Sequence, residues 1–166
     1  MLKGTGILQA LLTMDAVALA SLLLAAWAVH HPAEGTRDAM ARHVAWGLAA
    51  ALMNLVARCI AIFYMLASGR ALKDLVAERG LDPSFVARSK RVKRMVETLA
   101  TLAIIPVMVA AIGGGGVRSG EAGAHAAWSW IAVFFALACF ATDIRAGIRN
   151  HALLREADEI ATRGQG

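Results

Sequence analysis

Four long apolar runs, each holding no more than one charged residue, constrain this chain more than any other feature. They cover about residues 7–29, 44–68, 96–113 and 126–143. A hydrocarbon layer about 30 Å thick is crossed by a helix of roughly 20 apolar residues. Strands of a membrane barrel would alternate in character over short segments, and these runs do not. The expected fold is therefore all-α, a single integral membrane domain built as a four-helix transmembrane bundle. Composition agrees. The chain is 58% hydrophobic and 17% charged, whereas soluble domains are about half apolar and about a quarter charged. That excludes a soluble enzyme, a secreted disulfide scaffold and a disordered tail. The first run follows Lys3 as a signal peptide would, but it is long for a signal core, so it is read as a retained helix.

The charges that remain are unevenly placed. Residues 70–94 hold eight basic side chains against Asp74, Glu78 and Asp82, a balance equal to the +5 of the whole chain. The positive-inside rule puts this segment in the cytoplasm. Both termini then lie on the cytoplasmic side, and the expected setting is a bacterial inner (cytoplasmic) membrane. Trp27, Trp46, Trp128 and Trp130 all fall at the opposite ends of their runs, as interfacial indoles do. The basic residues Arg88, Lys90, Arg91, Lys93 and Arg94 abut a span, so anionic lipid headgroups or a partner are their expected contacts. No nucleic-acid motif accompanies them, and no nucleic-acid partner is expected.

Helices two, three and four are expected to continue into the cytoplasm. Residues 70–79 keep helical periodicity, Gly80 stands where a helix-ending glycine belongs, and Asp82-Pro83 reads as an N-cap and first helical residue. Leu81 and Val86 are spaced as a hydrophobic staple. This predicts a helical hairpin over about 70–95. A C-terminal helix over about 144–162 should pack on it, with Ile144, Ile148, Leu154 and Ile160 near one face and Glu156, Asp158 and Glu159 facing the basic cluster. The run Gly113-Gly114-Gly115-Gly116 reads as a flexible connection. It lacks the lysine and hydroxyl residue of a phosphate loop.

Two groups of residues are candidate sites. Asp15, Asn54 and Arg58 lie within spans, and Asn54 and Arg58 share a helix face with Gly47, Ala50, Ala51, Ala57 and Ala61. A charge in the bilayer core costs roughly 3 kcal/mol or more, so Arg58 should turn inward to a partner. Asp15 is the natural one, and Asp143 competes for it. This cluster is either a polar site for an ion, proton or small solute, or a clamp between helices. The second group is His30, His31, His43 and His125, all at the non-cytoplasmic ends of helices. Imidazole is the commonest metal ligand, so convergence of these four would hold haem or a transition metal.

Three functions follow. A channel- or transporter-like protein, oligomeric because four helices leave little room for a pore, would present Arg58 to a hydrated cavity. An accessory or assembly subunit of a larger membrane complex would have its polar face sealed by a partner membrane subunit. A haem- or metal-binding protein would bring the outer histidines to ligand distance. No nucleophile–base set is legible, and catalysis is not expected.

Overall fold

The computed structural model describes residues 4–30, 37–115 and 122–163. Four helices make up the described chain: α1 Gly4–His30, α2 Arg37–Arg79, α3 Ser84–Gly115 and α4 Ala122–Arg163. All four are long and apolar enough to cross a membrane. Their neighbours follow chain order around a ring, with α4 closing on α1. The α2–α4 diagonal touches, and α1 and α3 do not meet among the described residues.

Helix length shapes the molecule. At 1.5 Å per residue, the 43 residues of α2 and 42 of α4 span about 65 Å each, twice a hydrocarbon core. The 27 residues of α1 make only about 40 Å. A four-helix bundle therefore gives way, at the α2–α3 turn, to a three-helix head.

The turn is built as its residues dictate. Gly80 takes φ 62°, and the Leu81 amide donates back to the Val76 carbonyl at 3.1 Å, a Schellman closure. Asp82 Oδ1 accepts from the Ser84 amide at 2.7 Å, so the N-cap forms as expected. Leu81 and Val86 both pack on the apolar cluster of the head. At the other end Gly113 to Gly115 extend α3 rather than opening a loop. The rest of that connection lies outside the described residues.

Three apolar clusters stack along the bundle. Leu22, Ala26, Ala51, Val107 and Ala132 belong to the cluster far from the turn. Leu11, Ala61, Met65, Val96 and Ala146 form the middle one. Leu72, Val76, Phe85, Leu153 and Ala157 form the core of the head. Alanine dominates the buried faces, while Phe63, Phe134, Leu24 and Ile112 point outward. Small residues inside and large apolar ones outside are what helix packing in lipid requires. Between the clusters lie two buried polar layers. One holds Asp15, Asn54, Arg58 and Asp143; the other holds Ser68, Ser89 and Asn150.

The buried face of the C-terminal helix only partly overlaps the one its large aliphatics marked: Leu154 packs on the head core and Ile144 is half-buried. Ile148 and Ile160 are exposed, and the buried stripe is Ala146, Asn150, Leu153, Ala157 and Ala161. Three alanines in that stripe let α4 approach closely, which bulky isoleucines would prevent. Of the acidic residues, Glu156 meets Arg88 at 3.0 Å, whereas Glu159 pairs within its own helix with Arg155. Asp158 makes no ion pair among the described residues.

Gly80→Ala should lower the thermal midpoint of the purified protein, because a side chain in the left-handed region costs about 1–2 kcal/mol. For a chain of this size that is a fall of a few degrees, ~2–4 °C per kcal/mol. Gly80→Asn should lose less. Circular dichroism melts in detergent check this, and an unchanged Gly80→Ala midpoint would contradict the role of the turn.

Candidate functional site

Arg58 sits on the inward face of α2, among residues small enough for three helices to reach it. Ala50, Ala51, Ala57 and Ala61 are buried beside it. Its side chain is 3% exposed and grips two acids at once. Nη1 donates to Asp143 Oδ2 of α4 at 2.6 Å, and Nη2 donates to Asp15 Oδ1 of α1. Asp143 therefore does not compete with Asp15; it shares the guanidinium. One turn away, Asn54 Nδ2 donates to the Ala18 carbonyl of α1 at 3.3 Å. Cys139 of α4 lies on the same face and is buried, with its thiol 3.7 Å from the Leu99 carbonyl. Asp15, Asn54, Arg58 and Asp143 thus come together within one chain.

Its electrostatics are lopsided. Two carboxylates face one guanidinium, and α3 contributes no charged group to the layer. With both acids ionised the cluster holds one negative charge in excess. Asp15 Oδ2 and Arg58 Nε are buried with no hydrogen-bond partner among the described residues.

The residues of the cluster are buried. A void of about 10 Å³ between α2 and α3 borders Asn54 and Arg58, at the lower limit for one water molecule. Among the described residues, the void beside Arg58 is not as large as the hydrated cavity expected there. Nor is the polar face left for a partner to seal, since α1 and α4 seal it.

A larger cavity, about 40 Å³, opens at the end far from the α2–α3 turn. That is room for two or three waters at roughly 10–15 Å³ each. His43, His125 and Ser129 give it polar walls, and Gly47, Ala51 and Val107 lie deeper. Val107 also borders the void beside Arg58. The spacing is helical on both sides. His43, Gly47, Ala51, Asn54 and Arg58 share one face of α2, and His125, Ser129, Ala132, Ala136, Cys139 and Asp143 share one face of α4.

Of the four outer histidines, His43 and His125 come together, ring centres 5.9 Å apart and nearly perpendicular. The side chain of His30 and all of His31 lie outside the described residues. Among the described residues no three His, Cys, Asp or Glu side chains gather as metal ligands, so the expected convergence of the set is seen for one pair. On the head, Arg88 is paired with Glu156 and Lys93 with Glu97. Lys90, Arg91 and Arg94 are exposed and make no ion pair among the described residues. Sequence reasoning missed Asn150, a wholly buried amide in the second polar layer. A lone asparagine in a charged tail reads as surface.

No protein-family model, curated protein or solved structure matches the chain. The functional reading rests on the geometry.

Arg58→Met should cost about 3–5 kcal/mol, because it strands two acids in an apolar interior. Replacing Asp15 and Asp143 by leucine as well should recover most of that loss. Denaturant unfolding in mixed micelles compares the variants. An Arg58→Met protein as stable as the parent would show that the cluster does not tie the helices.

Proposed function

We propose that this is a small transporter-like membrane protein that binds a proton, or another small cation, at the Asp15–Arg58–Asp143 cluster. The observation that carries the reading is the excess carboxylate. A net charge held among apolar helices is expensive, and one bound proton makes the cluster neutral. Asp15 Oδ2, the buried oxygen without a partner, is the atom at which it is held. The closed surroundings support an occluded binding site rather than an open pore. The cavity lined by His43 and His125 is the side from which the site is approached, with Val107 between the two. Transfer across the bilayer then needs the bundle to open toward the turn, in this chain or in a homo-oligomer. By the positive-inside rule the head is cytoplasmic and the histidine cavity faces outward.

Reconstituted into vesicles carrying a pH-sensitive dye, the full chain should dissipate an imposed pH gradient. Asp15→Asn and Asp143→Asn should slow this by about tenfold or more, with helical content unchanged. Vesicles with the parent protein that lose the gradient no faster than empty ones would end the proton reading.

A second reading has its own support. The head presents Lys90, Arg91 and Arg94 on one face of α3, just beyond the apolar run. We infer that they hold anionic lipid headgroups, each basic residue near the surface being worth about 1 kcal/mol. An accessory subunit of a larger complex would use the same head to dock a partner. Native mass spectrometry should show anionic phospholipid retained by the parent and lost from the triple glutamine variant of these residues. Equal retention by both excludes the lipid role.

A further inference from the structure

We propose that His43 and His125 form a two-histidine site for a copper(I) or zinc(II) ion, at the open end of the bundle and separate from the charged cluster. Three observations meet there. The rings belong to different helices and face one cavity. Their centres are 5.9 Å apart. Both nitrogens of His125 are buried without a hydrogen-bond partner among the described residues.

The geometry suits an ion. An imidazole nitrogen binds zinc at about 2.0–2.1 Å, so two nitrogens on opposite sides of one ion sit about 4 Å apart. Adding the distance from each nitrogen to its ring centre puts the centres of a linear pair about 6 Å apart, against 5.9 Å here. The rings stand nearly perpendicular, and rotation about a histidine χ2 meets only broad, shallow preferences. Reorienting the rings toward one ion can thus draw on χ2 rotation. Ser129 is the other polar side chain among the described residues lining the cavity. Ser129 Oγ already donates to the His125 carbonyl at 2.9 Å. On α3, Gly113 lies beside the ring: a Cβ added there would stand 3.7 Å from His125 Nδ1, in ordinary van der Waals contact.

The same dimensions select the ligand class. Imidazole favours late transition metals over magnesium or calcium. A cavity of about 40 Å³ takes an ion and a water or two, and not a porphyrin. Haem is thereby excluded from this arrangement. A closed-shell ion with no demand for a rigid octahedron fits a pair of nitrogens, with water from the open end completing the shell. Copper(I) needs no more than the pair; zinc(II) would draw on those waters. The site does not depend on proton binding at the Asp15–Arg58–Asp143 cluster, whose Arg58 lies fifteen residues along α2 from His43, roughly 22 Å by helical rise.

The test is metal binding by the purified full chain. Copper(I) under reductant and zinc(II) are titrated separately against chelators of known affinity, with X-ray absorption on the saturated sample. One ion per chain with nitrogen ligands near 2.0 Å is expected for at least one of the two metals. His43→Ala and His125→Ala should each weaken it by about 100-fold or more, while the head variant His151→Ala should bind as the parent does. Circular dichroism verifies that each variant folds. The proposal is overturned if neither metal binds stoichiometrically, or if the His43→Ala/His125→Ala double variant binds as well as the parent. A loss confined to His30→Ala or His31→Ala also overturns it.

Discussion

A guanidinium among apolar helices has no water to solvate it, and the bundle is arranged so that two acids replace that water. Arg58 reaches Asp15 on α1 and Asp143 on α4 together. Such a cluster adds little net stability over an apolar replacement, because desolvation offsets the attraction. What it does is penalise every arrangement in which Arg58 lacks its partners. A slide of α1 or α4 by one turn separates the charges and leaves each buried alone. The alanine stripes serve this contact: they bring the backbones close enough for short aspartates to meet a long arginine.

The second polar layer acts where the bundle changes character. Past the short end of α1 there are three helices, and Ser68, Ser89 and Asn150 lie between the middle cluster and the core of the head. Ser68 satisfies itself on the Tyr64 carbonyl at 2.7 Å. Asn150 has no such local partner for its Nδ2. A buried amide of this kind specifies register at some expense in stability. The charged layer ties α2 to α4 at one height along their common length, through Arg58 and Asp143. That common length is what makes the head a rigid continuation of the membrane bundle rather than a tethered domain.

The proposed proton site and the proposed metal site share one stripe on α2 and one on α4. They differ in surroundings. The charged cluster is buried, beside a void with room for at most one water. The histidine pair lines the larger cavity.

Much of this was legible from residues alone, because the causes are local or additive. Run length and hydropathy determined four helices. Gly80, Asp82 and Pro83 determined the turn, through backbone preferences that need no tertiary partner. A lone arginine in one apolar run and a lone aspartate in the middle of another determined that they would meet, because a charge in apolar surroundings needs an opposite one. Three things were decided only by packing. Asp143, at the edge of its run, was equally suited to an interfacial place; the approach of α4 turned it inward to complete the cluster. Ile148 and Ile160 marked a face by hydropathy, but close approach of three helices selects small residues, and the alanine face won. The four histidines were equivalent by position. Helix rotation decided that His43 and His125 would share a cavity, because rotation about a helix axis is set by which faces pack, and no single residue carries that information.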